Sequence, residues 1–288
     1  MKAFALVALG SLCLQLGSAS ASFAFSGLGV STVASLRWLV AASLMLVAVR
    51  PKVRGRSRFS WTIIVAFGIC MATTNLLFYG AISRMPLGNA VTIQYLGPCV
   101  VALIGSRKIT EAGWAVAALA GVALVARPVG YFDLWGLVLS LGAATTLGAY
   151  TVLAGKLGRE HSTSSDVALA MGVAALATLP LGLPRVSVPT ARDWGLIALA
   201  ALLAGILTNL LDAMAAKRTT SRGMGLFLAM DPLMAIPVGM LLLSQVPSAV
   251  ELVGMVLAIS AGTAMVWTSG NSVSPSKTGT IRSESDSP

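Results

Sequence analysis

Two ionisable side chains and one amide stand inside long apolar runs of this sequence: Arg37, Asp231 and Gln94. An arginine can hold a carboxylate through two parallel hydrogen bonds. A buried aspartate can hold an ammonium group or take up a proton, whereas glutamine binds without titrating. Asn75, Tyr79, Tyr95 and Tyr150 add amide and hydroxyl groups in neighbouring apolar runs. The chemistry such a set can do is recognition of a small charged molecule and exchange of a proton. A structural Arg37–Asp231 pair joining two parts of the fold is the plainer alternative. For bond-making catalysis the chain offers little. Its single histidine, His161, lies in the polar stretch Gly158-Arg159-Glu160-His161, and Cys13, Cys70 and Cys99 are far apart with no CxxC pair. Neither a metal site, a disulfide framework nor a cofactor is expected. No Walker motif or dinucleotide fingerprint occurs, so nucleotide hydrolysis is not expected either.

The elements that position these residues follow from composition. The 288-residue chain is 56% hydrophobic and 10% charged, with a mean hydropathy of +0.86. A soluble domain carries about 25% charged residues. This excludes a water-soluble enzyme, a secreted disulfide scaffold and a disordered regulator. The net charge of +10 sits in short loops between apolar runs, which points to membrane topology and not to nucleic acid. A membrane-crossing helix needs about 20 mostly apolar residues. Ten such runs are read at 3–26, 29–49, 61–83, 86–105, 110–127, 134–155, 166–183, 193–213, 223–243 and 249–268. The alternating pattern of a membrane barrel is absent. The expected fold class is an all-α polytopic bundle, followed by a disordered Ser-rich tail at 269–288. Lys2, an apolar run and Ser18-Ala19-Ser20-Ala21-Ser22 also imitate a cleaved signal peptide, which would leave nine helices. The competing reading makes Gly17, Ser18, Ala19 and Ser20 a small-residue packing face.

Lysine and arginine placement gives the orientation. With the N-terminus inside, inner segments hold 15 of the basic residues, five of them at Arg50, Lys52, Arg54, Arg56 and Arg58. Outer loops hold 4: Arg84, Arg127, Arg185 and Arg192. Both termini are therefore expected in the cytoplasm.

Thr74-Asn75-Leu76-Leu77 recurs as Thr208-Asn209-Leu210-Leu211, and the same offset of 134 pairs Arg84 with Arg218 and Pro98 with Pro232. The chain therefore reads as two five-helix repeats, 1–130 and 131–268. Five is odd, so the second enters the membrane inverted, as in many secondary transporters with a midplane site between halves. Pro98 and Pro232 sit mid-span at equivalent positions and free the carbonyls of Gln94 and Leu228. They mark either broken helices at a site or simple kinks. Asn75 and Asn209 read first as interhelical packing bonds. Asp212, near the end of its span and close to Lys217, reads as half of a surface pair. Met224, Met230, Met234 and Met240 read as a core-packing face.

Asn75-Leu76-Leu77-Phe78-Tyr79, Met85-Pro86-Leu87-Gly88-Asn89-Ala90-Val91 and Gln94-Tyr95-Leu96-Gly97-Pro98 together resemble the signature of the EamA-type drug/metabolite transporter superfamily. Leu36-Arg37, Ala149-Tyr150, Arg222 and Met230-Asp231-Pro232 extend the likeness, which is nearest the RhtA-like threonine/homoserine exporter subgroup. The resemblance implies a ten-helix inner-membrane exporter of small amino acids or related metabolites, driven by proton antiport. Substrate, protons and the lipid bilayer are its implied partners, with a homodimer left open. The chain departs from the family pattern at Gln94 and Asp231, where glutamate is usual, at Thr208-Asn209, where Pro-Tyr is usual, and at Gln245, often acidic. Efflux of cationic drugs is the alternative transport reading, and a membrane-embedded enzyme is a further class.

Overall fold

The computed structural model describes residues 2–104, 109–125, 133–160, 163–182, 188–216 and 230–269. Helices account for nearly all of them, and no strand occurs among the described residues. The order is α1 (Lys2–Ser22), α2 (Phe25–Leu28), α3 (Val30–Val49), α4 (Arg58–Ile82), α5 (Leu87–Gln94), α6 (Leu96–Ile104) and α7 (Ile109–Val125). It continues with α8 (Leu134–Glu160), α9 (Thr163–Gly182), α10 (Ala191–Ala200), a π-helical turn (Ala201–Leu207), α11 (Thr208–Ala216), α12 (Met230–Leu243) and α13 (Ala249–Ser269). Among the described residues six helices are long and apolar enough to cross a membrane, and Val116–Val125, Met230–Leu243 and Ala249–Ala264 are shorter apolar helices. In lipid every backbone group must be satisfied within its own segment, which is why apolar runs of this length become helices.

Local signals set the boundaries. Ser57 caps α4, its hydroxyl accepting from the Ser60 N–H at 3.0 Å. Thr190 and Asp193 form a reciprocal capping box at α10, the arrangement that satisfies orphan amides at a helix start. Gly29, at φ 80°, takes the left-handed turn between α2 and α3. Three boundaries differ from the sequence reading. The first helix stops at Ser22, and α2 is a separate turn. The fourth span is interrupted at Tyr95, three residues before Pro98. Proline lacks the donor that would continue the helix and crowds the turn before it. The eighth span carries a π-helical turn ahead of Thr208, a distortion frequent at functional sites.

The bundle is closed by small residues. A Cβ at Gly17 would lie 2.8 Å from the Ala204 nitrogen, and one at Gly121 would lie 2.7 Å from the Gly254 oxygen. Such residues let membrane helices approach backbone to backbone. Ala19, Ala21, Ser18 and Ser20 of α1 are buried, so α1 packs as an integral helix through its small-residue face. The methionine face is only partly as expected. Met240 is 44% exposed, Met230 and Met234 are partly buried, and Met224 lies outside the described residues.

Gly97 marks the tightest crossing. A Cβ there would overlap the carbonyl oxygen of Ala144 on α8. Gly97→Ala is therefore expected to destabilise the protein by about 1–3 kcal/mol, the usual range for overpacking. Thermal unfolding of the detergent-solubilised protein measures this. Gly27→Ala, where nothing lies within 4 Å, should leave the midpoint unchanged.

Candidate functional site

A cavity of about 270 Å³ lies between the helices, and its wall draws on α1, α3, α4, α5, α8, α11 and α12. Arg37, Asn75, Gln94, Tyr95, Tyr150 and Asp231 all line it. Six of the seven residues expected to bind substrate thus converge from five helices. The seventh, Tyr79, is fully buried behind the wall.

Arg37 is 3% exposed. Its guanidinium carbon lies 4.5 Å from the centroid of the Trp38 ring and 5.4 Å from that of Tyr79. Aromatic faces stabilise a cation electrostatically where water is excluded. Its Nε has no hydrogen-bond partner among the described residues. The ion pairs among those residues are Arg56 with Asp166 and Arg84 with Asp133. A structural Arg37–Asp231 pair is therefore not formed in this conformation. Two positions at the same membrane depth can face different directions round their helix axes.

Asp231 stands at the start of α12, its Oδ1 accepting from the Ser11 hydroxyl at 2.5 Å. The Gln15 amide donates to the Asp231 backbone oxygen at 3.2 Å. Pro232 follows within the first described turn of α12. Its predecessors 217–229, including Arg222 and Leu228, lie outside the described residues. Pro98 occupies the first turn of α6, after the break at Tyr95. Tyr150 reaches the cavity from α8 and stacks on Phe67, with ring centroids 4.6 Å apart.

Several wall residues were not singled out from sequence. Gln15 and Trp38 belong to it, and so does Ser18, which was read only as part of a packing face. Asn209, read as packing, lines the cavity while its Nδ2 donates to the Gly205 carbonyl at 2.5 Å. Asp212, read as a surface residue, also faces the cavity, and Lys217 lies outside the described residues. Gln15 was legible in principle, being the only amide in the apolar run from Ala3 to Leu16.

The two ends of α4 are tied differently. At its start Arg56 meets Asp166 of α9. Beyond its other end Arg84 Nη1 bonds Asp133 at 2.9 Å. That arginine holds the Asp133 carboxyl below its usual range, with the Gly136 and Trp135 amides adding to the effect. Exposed pairs of this kind add little stability. Nearby, Gln245 Oε1 accepts from the Leu87 N–H at 2.8 Å, and Asn89 donates to Glu251 at 2.7 Å. These two contacts fasten α5 to the segment after α12 and to the first turn of α13.

Residues 134–268 match the EamA-like transporter family. The chain is 28% identical over 268 residues to the threonine/homoserine exporter RhtA of Escherichia coli K12, covering 90% of each protein. It is 26% identical over 262 residues to RhtA of Salmonella typhimurium LT2, covering 89% of this chain and 88% of that one. It is 25% identical over 269 residues to the pseudopaline exporter CntI of Pseudomonas aeruginosa PAO1, covering 89% and 93%. A protein of known crystal structure, 20% identical, shares the fold with a TM-score of 0.63 over 90% of this chain and 94% of its own.

Proposed function

Since the chain is an EamA-type, RhtA-like multi-pass membrane protein, we propose that it exports small amino acids of the threonine/homoserine kind across the inner membrane by proton antiport. The observation that carries this reading is the convergence of Arg37 and Asp231 on one cavity without pairing to each other. Arg37 holds the substrate carboxylate. Asp231 faces the substrate and exchanges the proton. Asn75, Gln94, Tyr95 and Tyr150 complete the walls, and Tyr79 supports Arg37 from behind. An arginine in the wall disfavours a purely cationic drug as substrate. Export relatives and the lack of a nucleophile–base pair in the cavity wall favour transport over catalysis.

The architecture we propose is ten spans in two inverted repeats, 1–130 and 131–268, with both termini cytoplasmic. Helix packing supports it. Under the offset of 134, α4 packing on α8 has its counterpart in α11 packing on α1. Likewise α6 on α8 corresponds to α12 on α1, while α3 with α9 and α7 with α13 pair equivalent helices. Thr74 donates to Thr146 of α8 at 2.8 Å, and its equivalent Thr208 donates to the Gly10 carbonyl of α1 at 3.2 Å. A site between such halves opens to alternate sides as they rock. The Gln245–Leu87 and Asn89–Glu251 contacts are those that part when the cavity opens at their end.

Everted membrane vesicles test the function. Energised vesicles containing the protein are expected to accumulate labelled L-homoserine or L-threonine, and collapse of the pH gradient should abolish the accumulation. Equal uptake by vesicles lacking the protein refutes the reading.

A further inference from the structure

The cavity holds a second carboxylate that the proposed mechanism leaves without a task. Asp212 and Asp231 meet α1 at consecutive residues. A Cβ at Gly10 would lie 3.2 Å from Asp212 Oδ1, while Ser11 donates to Asp231 Oδ1 at 2.5 Å. Asp231 is thus held by a hydroxyl, whereas Asp212 has no such donor among the described residues. Gln15, one turn beyond Ser11, is 2% exposed. Its Nε2 is committed to the Asp231 carbonyl. Its Oε1, on the cavity wall, has no partner among the described residues, and neither has Asn75 Oδ1.

Apart from the Tyr95 hydroxyl, which can donate or accept, the unmet hydrogen-bonding groups of this wall are sorted by sign. On α3 they are donors, Arg37 Nε and Trp38 Nε1. On α1 and α4 they are acceptors, Gln15 Oε1 and Asn75 Oδ1, and α11 adds the Asp212 carboxylate. Buried polar groups are nearly always paired, so unpaired ones in a cavity wall call for a ligand. A carboxylate only accepts, and an ammonium group only donates, through three N–H bonds. A zwitterionic amino acid is a small molecule with one of each.

We propose that Asp212, together with Gln15 Oε1, binds the substrate ammonium, while the Arg37–Trp38 donors bind its carboxylate. This rests on the exporter reading and deepens it. The cavity selects the α-amino acid zwitterion over analogues lacking either charge, and Asp231, already tied to Ser11, is left to carry the proton. Formal charge agrees. One arginine and two aspartates leave a single negative charge in surplus, which a proton on Asp231 offsets, while the bound zwitterion adds no net charge.

L-Homoserine, 4-hydroxybutanoate and 3-aminopropan-1-ol make a matched set, the second lacking the ammonium and the third lacking the carboxylate. Binding of each is measured by calorimetry on the purified, detergent-solubilised full-length protein. Wild-type protein is expected to prefer homoserine to both analogues. Asp212→Asn should weaken homoserine and 3-aminopropan-1-ol by about tenfold or more, as for loss of a charged hydrogen bond. It should leave 4-hydroxybutanoate unchanged, which also reports that the variant is folded. An Asp212→Asn variant with the wild-type ratio of homoserine to 4-hydroxybutanoate affinity overturns the assignment alone. If that variant binds none of the three, the ratio is read in Asp212→Glu, where it must fall. An unchanged ratio there overturns the assignment equally. Wild-type protein that binds none of the set overturns the exporter reading and this assignment together.

Discussion

Asp231→Asn is expected to insert and fold normally, to exchange substrate across the membrane, and to lose all accumulation driven by a pH gradient. A gradient of one pH unit is worth about 1.4 kcal/mol per proton, enough for about tenfold accumulation when one proton is exchanged per substrate. The Asn variant should therefore fall from about tenfold to about onefold in everted vesicles under that gradient. Asp231→Glu should keep a measurable part. The reasoning is by titratable group. Gln94 cannot titrate and Arg37 stays charged. Tyr95 and Tyr150 line the cavity, but phenols ionise near pH 10, far from working conditions. Two carboxylates remain, Asp212 and Asp231. Asp231 is the one whose backbone and side chain are both bonded to α1, through Gln15 and Ser11. A change in its charge is therefore passed directly to a helix that also packs on α11. An Asn variant that still accumulates substrate moves the proton to Asp212.

How much of this could be read from the residues varied with the kind of signal. Apolar runs located the long helices well, because lipid allows only helices or closed barrels and the composition excluded barrels. The break in the fourth span was signalled by Pro98, whose missing N–H leaves the Gln94 carbonyl free, but the close approach of Gly97 to Ala144 of α8 was not signalled. That crossing is a tertiary fact. Arg37, Gln94 and Asp231 were legible because polar groups inside apolar runs are expensive and need a reason. Their places within the apolar runs were legible, but their facing was not, so the absence of an Arg37–Asp231 ion pair among the described residues came only with the three-dimensional arrangement. Asp212 was misread because its sequence neighbour Lys217 offered a ready partner. The π-helical turn just before Thr208 shifts the register of the residues after it, and no residue pattern announces that shift. Gln15 and Trp38 lay in runs read for their length and their small residues, so their polar atoms went unweighed.

Arg37→Lys is expected to lower transport by about tenfold or more, with the amount of protein in the membrane unchanged. A charged hydrogen bond contributes about 1.5–3 kcal/mol, and the guanidinium offers two in parallel to a carboxylate. Lysine keeps the charge but replaces the planar fork with a compact, strongly hydrated ammonium. The surroundings are built for the plane. Trp38 and Tyr79 present ring centroids 4.5 and 5.4 Å from the guanidinium carbon, which fixes the orientation of the fork before substrate arrives. Preorganisation of this kind is lost with a flexible stem that can point its three donors in many directions. The effect should appear as a raised half-saturation concentration for homoserine, since the contact is made to bound substrate. Membrane levels of the Lys and Ala variants separate this role from a structural one. Normal transport by Arg37→Lys, combined with loss of folded protein in Arg37→Ala, would assign Arg37 to holding the bundle together, and the carboxylate would then need another donor, with Trp38 Nε1 the nearest unpaired one along the same helix.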